Sequence, residues 1–228
     1  PPVCLDLWPC IDDPPGEAFT TVANWWGKWL REVEDGREVL RENTKRVGFA
    51  PFVDLPRHTP QPIELALNLA ADDADQRHML AERGWRVRHA REVTATPQAY
   101  RAYIQGSRGE LSAAKPAYVR FQNAWISDRT VCYLASGRPV VVQDTGPSAF
   151  LPSGEGMFRF TTVTEAAAAL DAVNADYSRH RFAARALAET GCLDLLSVSN
   201  GMGGGQWPVP PPDFLFSQLL WLGAQVKQ

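Results

Sequence analysis

SRGELSAAKPAYVRFQNAWISDRTVCYLASGRPVVVQDTG, residues 107–146, is the stretch whose reading decides the fold. Its second half carries the plainest punctuation. Ser127 is placed to cap a helix that runs to Ser136. Gly137 stops that helix, and Pro139 blocks its continuation. Val140, Val141 and Val142 are β-branched and uniformly apolar, the pattern of an interior strand in a parallel sheet. Gln143-Asp144-Thr145-Gly146 then leaves the sheet through polar groups. Ligands of open α/β sheets bind just beyond the carboxyl ends of strands. Upstream, Gly109–Ala114 reads as a short strand, weakened by its Ser and Ala content.

Working toward the amino end, Thr96-Pro97 opens a helix, with Thr as cap and Pro in the first helical position. Tyr100, Tyr103 and Ile104 give it an apolar face. Trp85–Ala90 reads as a strand that Val93 extends. Asp72, Asp73 and Asp75 fit the first turn of a helix through Glu82, where carboxylates meet the positive end of the dipole, and Gly84 ends it. Ile63–Leu69 is a compact apolar run that fits either a strand or a helix. Pro51, Pro56, Pro60 and Pro62 interrupt the chain before it. The polar run Arg41–Arg46 reads as a turn into a helix. Lys28–Val33 reads as a short helix ended by Asp35-Gly36, and Phe19–Trp25 (FTTVANW) as a strand entering a turn. Residues 1–18, rich in proline, form a linker or an extended arm, with Trp8 as an anchor.

Downstream, Met157–Phe160 reads as a further strand. Thr162 with Glu165 three residues on makes a capping box for a helix through Ala175, with Ala166, Ala169, Leu170 and Val173 inward. A second helix covers Tyr177–Glu189, with Phe182, Ala186 and Leu187 inward, and Gly191 ends it. Residues 198–228 form a Gly/Pro-rich tail with an apolar segment, Phe214–Leu222. The short-spaced alternation of strand and helix over residues 19–197 predicts an α/β domain: a Rossmann-like, doubly wound parallel sheet flanked by helices.

Composition narrows the function. A chain of 228 residues can bury a sizeable core, and a formal net charge of −3 gives no field to draw nucleic acid or an acidic membrane. No stretch has the length of a membrane span. Cys4, Cys10, Cys132 and Cys192 are scattered, with no CxxC pair, so reduced thiols and no metal site are expected. The chain opens on Pro-Pro rather than Met, as a piece of a longer protein would. There is no GxGxxG, P-loop, HExxH or GxSxG. Gly201–Gly205 lacks the strand and helix that a phosphate loop needs. His58, His78, His89 and His180 are dispersed and read as structural or solvated.

Three polar groups remain. Thr20, Thr21 and Asn24 lie at the first strand, where β-propensity and turn polarity are the plainer explanation. Arg108 and Glu110, with Lys115 nearby, make either a surface ion pair or a carboxylate for a ribose diol beside a cation for phosphate. Ser127, Asp128 and Arg129 open a helix whose amides can receive a diphosphate; a capped helix without a ligand is the alternative. Asp144, Thr145 and Gly146 face them only if the strand order brings the two strand ends together.

SRGELSAAK, AWISDRTVCYLASGRPVVVQDTG and PSGEGMFRF, with FTTVANW and YRAYIQGSRGE upstream, resemble the carboxyl-terminal half of bacterial sugar-nucleotide glycosyltransferases of the two-Rossmann-domain GT-B type. The resemblance covers about residues 19–196. It implies one half of a GT-B architecture that holds a nucleoside diphosphate sugar, UDP- or another NDP-sugar, with no metal and no other cofactor. It implies Glu110 as the ribose or nucleotide contact, and Ser127, Asp128 and Arg129 near the diphosphate. Asp144, Thr145 and Gly146 would face the sugar, Thr20, Thr21 and Asn24 would line the cleft, and Arg129 or Lys115 would balance the leaving diphosphate. A cytoplasmic protein is expected, and its further partner is an amino-terminal acceptor domain outside this sequence or a separate protein. Leu215–Leu222 stands either as the terminal helix that crosses back to that domain or as unrelated sequence. A nucleotide-binding or partner-docking module without turnover is the competing expectation.

Overall fold

The computed structural model describes residues 3–11, 15–148 and 151–201. The segment Phe214–Leu222 lies outside the described residues. In chain order, β1 (Phe19–Asn24) is followed by the hairpin strands β2 (Trp29–Glu34) and β3 (Arg37–Glu42). Helix α1 (Lys45–Phe49) and two short 3-10 turns lead to β4 (Ile63–Asn68). Then come α2 (Ala74–Glu82), β5 (Arg86–His89), α3 (Ala90–Thr94), α4 (Pro97–Gln105), β6 (Gly109–Ser112), α5 (Pro116–Phe121) and α6 (Asp128–Ala135). The order closes with β7 (Val140–Gln143), β8 (Met157–Phe160), α7 (Val163–Ala175) and α8 (Tyr177–Gly201).

Six strands make one sheet in the order β5-β4-β1-β6-β7-β8, and every neighbouring pair is parallel. The chain steps outward from β1 to β4 and β5, returns to β6, and steps outward the other way. The order therefore reverses between β1 and β6, the position at which doubly wound sheets open a crevice. Side chains alternate along β7. Val141 packs with Phe19, Phe49, Leu65 and Leu170, whereas Val140 and Val142 pack with Ile104, Tyr133, Leu134 and Ala184. One face is thus covered by α1, α2 and α7 and the other by α4, α6 and α8. Ile63–Leu69, open between strand and helix in sequence, supplies strand β4, which lies between β5 and β1.

Four expectations change. Lys28–Val33 is not a helix but most of β2, paired antiparallel with β3. Asp35 (φ 50°) and Gly36 (φ 74°) both take the left-handed conformation that a two-residue hairpin turn requires, so they join strands rather than end a helix. Val93 does not extend β5; it lies in α3, which His89 caps by accepting the Arg91 amide at 3.1 Å. The helix from Tyr177 runs past Gly191 to Gly201. Its inward residues are His180, Ala184 and Ala188, with Leu187 packed beside them, whereas Ala186 is exposed and Phe182 is 72% exposed. Small alanines let α8 lie close to the sheet, where a bulky Phe has no room.

Other caps fall where the sequence puts them. Thr96, Ser127 and Thr162 each accept a backbone amide at the start of α4, α6 and α7, and Glu165 completes the capping box; Thr44, in the polar run read as a turn into a helix, does the same for α1. Trp8 does anchor the arm, meeting Tyr100 edge to face at 6.2 Å. No disulfide links Cys4, Cys10 or Cys132.

Candidate functional site

The β1–β6 ladder is short. Phe19 pairs with Gly109 and Thr20 with Glu110, and the strands then diverge. Backbone groups left open by that divergence must find other partners. Arg129, near the start of α6, supplies them from one face of the sheet. Its Nη1 donates to the Val22 carbonyl at 2.5 Å, its Nη2 to Ser112 Oγ at 2.9 Å, and its Nε to Glu110 Oε1 at 2.7 Å. Lys45, at the start of α1, enters from the other face. Its Nζ donates to Ser112 Oγ at 3.3 Å and to the Ala113 carbonyl. Gly48 permits this approach, because a Cβ there would stand 2.0 Å from the Ala114 carbonyl oxygen.

The electrostatics are lopsided. Glu110 is completely buried, and its Oε2 has no hydrogen-bond partner. Burial works against the Arg129 charge, but Glu110 more than offsets it and holds the guanidinium firmly protonated. Burial, with help from the Arg129 and Lys115 charges, pushes Lys45 down to about 7. Burial also lowers Lys115, which sits at the exit of β6. Arg129 and Lys45 therefore share one buried carboxylate at the point where the sheet order reverses, and the Lys115 charge is near enough to act on Lys45.

A small open hollow lies beside this cluster, at the carboxyl ends of β6 and β7. Ser112, Ala114, Trp125, Ser127, Gln143 and Thr145 line part of it. The loop between α5 and α6 forms its mouth. Gln122 (φ 48°) and Ala124 (φ 57°) both hold left-handed backbone there, which is costly without glycine. Two hydrogen bonds fix the loop: Ala124 N donates to the Thr145 carbonyl at 2.8 Å, and Thr145 Oγ1 donates to the Trp125 carbonyl at 2.6 Å. Gly146, at φ 111°, lets Gln122 pass; a Cβ would come within 2.5 Å of the Gln122 oxygen. Tyr118 of α5 stacks on Trp125 with ring centroids 4.0 Å apart and planes 3° apart.

The structure gathers some of the residues singled out in the sequence and scatters others. Glu110 and Arg129 meet at the reversal point, and Lys115 lies near enough to Lys45 for its charge to act there. Ser127, Thr145 and Gly146 belong to the hollow or its mouth, with Ser127 Oγ engaged by the Arg129 amide at 3.3 Å. Asp128 is the first residue of α6 and exposed. Asp144 accepts the Gly146 amide at 3.0 Å and faces Arg159 at 3.8 Å. Asn24 ends β1 and accepts a hydrogen bond from Asn68 at 3.2 Å. Thr20 and Thr21 lie deeper. Thr20 shares a buried hydroxyl network with Ser107 at 2.6 Å and Tyr133 at 2.5 Å, and Thr21 is wholly buried. Arg108 stands before β6, at the opposite end of the strands, with its guanidinium over Tyr177 and bonded to Asn174 at 2.6 Å. It does not join the cluster. Lys45 and Trp125 escaped the sequence reading. The run Arg41–Arg46, read as a turn into a helix, contains Lys45, but only the strand order shows where it points. Among the described residues, no three His, Cys, Asp or Glu side chains gather as a metal site requires. Nor is any helix among them long and apolar enough to cross a membrane.

Together, the reversing parallel sheet, its flanking helices and the crevice at its carboxyl edge are those of a Rossmann-like domain, the kind that forms one half of a GT-B glycosyltransferase. The chain matches no family model and no curated protein. Solved structures do share its fold. The C-terminal domain of a glycosyl transferase group 1 family protein (LpcC) from Francisella tularensis superposes with TM-score 0.54 at 11% identity, over 88% of this chain and 100% of that one. TarM superposes with TM-score 0.53 at 14% identity, over 86% of this chain and 37% of TarM. Anabaena HepE, solved in complex with UDP-glucose, gives TM-score 0.50 at 12% identity, over 82% of this chain and 49% of HepE. The chain thus spans about a third of TarM and half of HepE.

Proposed function

We propose that this chain is the donor-binding domain of a glycosyltransferase, which holds a nucleoside diphosphate sugar for transfer to a hydroxyl acceptor. The observation that carries the proposal is the excess of cations at the reversal point. Lys45 and Arg129 share one carboxylate there, with the Lys115 charge acting on Lys45, beside the start of α6, in the crevice where doubly wound sheets bind nucleotides. A diphosphate supplies the missing negative charge. Its companion groups also find partners of the right kind, since hydroxyl and amide side chains line the adjoining hollow. The resemblance in sequence and the UDP-glucose bound by HepE point the same way.

In this reading each residue has a distinct task. Lys45 and Lys115 attract the diphosphate. Arg129 has committed its nitrogens to Glu110, Val22 and Ser112, so it contributes its field and holds the two diverging strands at a fixed spacing. Glu110 keeps that guanidinium in place rather than meeting the ribose. As the glycosyl bond breaks, negative charge grows on the leaving diphosphate, and cations already fixed in a dry crevice stabilise it without reorganising. Transfer also needs an acceptor aligned with the donor in a closed cleft. The acceptor would come from a second domain or a separate protein.

Calorimetric titration with UDP, UDP-glucose, GDP and GDP-mannose tests the proposal. Binding by at least one nucleotide, weakened about tenfold or more by Lys45→Met with the far-ultraviolet spectrum unchanged, is the expected result. A well-folded sample that binds none of the four refutes it. Release of free nucleotide from the bound donor when candidate acceptors are added separates a transferase from a module that binds without turnover.

A further inference from the structure

We propose that Trp125, backed by Tyr118, is the platform on which the glycosyl ring of the donor stacks, and so the residue that separates a nucleotide sugar from the bare nucleotide. The inference rests on the donor-binding reading above and assigns a part of the site beyond the cationic cluster.

Four observations converge on Trp125. It is among the residues that line the hollow at the carboxyl ends of β6 and β7. Tyr118 covers one face of the ring at 4.0 Å and 3°, so the other face and the edge are what the hollow meets. The backbone that holds it is fixed at some expense, with Gln122 and Ala124 left-handed and the Trp125 carbonyl and Ala124 amide both bonded to Thr145. Strain that the surroundings enforce is characteristic of ligand clamps. Finally, Trp125 precedes the Ser127 cap by two residues. It therefore sits one group away from the place where α6 and the cations would hold the diphosphate, on the side where Asp144–Gly146 leave the sheet.

The chemistry favours a sugar over other occupants. A pyranose presents a face of C–H groups that packs flat on an aromatic ring, while its hydroxyls need polar partners around the rim. Ser112, Ser127, Gln143 and Thr145 supply polar atoms along that rim. Parallel stacking with Tyr118 keeps the indole from rotating away, so little order remains to be imposed on binding.

The test compares matched pairs, UDP with UDP-glucose and GDP with GDP-mannose, by calorimetry on the wild type, Trp125→Ala, Trp125→Phe and Tyr118→Phe. For the pair that binds, the wild type is expected to hold the nucleotide sugar about fivefold to tenfold tighter than the nucleotide, a difference in the range of aromatic stacking energies. Trp125→Ala should erase that difference and leave nucleotide affinity within about twofold, and Trp125→Phe and Tyr118→Phe should keep most of it. A wild type with no preference for the sugar overturns the inference, as does a Trp125→Ala variant that keeps the preference. So does a Trp125→Ala variant that loses sugar and nucleotide affinity equally while its circular dichroism stays native. In each of these cases the donor reading survives, because nucleotide still binds to the wild type. If no nucleotide binds to the folded wild type, both fall together.

Discussion

Lys45 keeps its ammonium in a setting far from water. Its ammonium is buried beside Arg129 and ordinarily loses its proton near 10.5, but here it does so near 7. Between those values the unfolded chain binds a proton that the folded chain does not, so stability rises with pH across that window. One proton sets the ceiling of the slope at about 1.4 kcal/mol per pH unit. Urea unfolding at pH 7 and pH 9.5 should show this rise, and Lys45→Met should flatten it. Arg129 answers a different need. Arg129→Ala would leave the Glu110 carboxylate buried without its partner and the Val22 carbonyl open, at a cost of about 3–5 kcal/mol. Adding Glu110→Gln to that variant should recover part of the loss, because a neutral amide tolerates burial better than a bare carboxylate. Urea midpoints of the single and double variants check both statements. Glu110 and Arg129 were both visible in the sequence as members of separate polar groups. Their mutual partnership was not, because they sit on different elements and only the approach of α6 to β6 joins them.

At the scale of elements, local chemistry was readable wherever one rule acted alone. The Thr96-Pro97 start, the Thr162–Glu165 box and the valine run of β7 each depend on neighbours within a few residues, and each stands in the structure as the sequence implies. The hairpin shows how a local signal can be misassigned. Asp-Gly ends helices and also turns hairpins. Here alternation along Trp29, Arg31 and Val33, answered by Glu38, Leu40 and Glu42, decides for strands. Helix α5 was hidden for a different reason: its six residues, PAYVRF, are too few to show a helical period. Two predictions belong here. Gly48→Ala would force α1 away from the Ala114 carbonyl and carry Lys45 with it, so nucleotide affinity should fall severalfold even though Lys45 itself is intact; calorimetry reads this. Arg120 ties α5 to the hairpin through Glu32 and Glu34 in an exposed cluster. Arg120→Ala should therefore leave the melting temperature unchanged and speed amide exchange along β2 and β3, seen by exchange mass spectrometry.

For the molecule as a whole, the strand-helix alternation announced a doubly wound sheet, and the sheet is there. What alternation cannot supply is the strand order, which is why the reversal point, and with it the meeting of Lys45 with Arg129, had to await the fold. The amino-terminal arm belongs to this scale as well. Arg101, Gln105, Arg181 and Arg185 donate to the carbonyls of Leu7, Pro9, Ile11 and Trp8, so α4 and α8 grip the arm by its backbone. Removing residues 1–11 should therefore lower the melting temperature by more than Trp8→Ala does, since Trp8→Ala removes only the ring and leaves those four carbonyls held; differential scanning fluorimetry on the two variants decides this. The hairpin stands in contrast. It leaves the sheet after Trp25 and returns at Arg46, whose amide donates to the Trp25 carbonyl at 3.1 Å and closes the excursion at its base. Within that loop the strands β2 and β3 pair only with each other. A reporter peptide spliced between Asp35 and Gly36, or fresh chain ends opened there in a circular permutant, would hang from the rim of the crevice without breaking a rung of the central sheet.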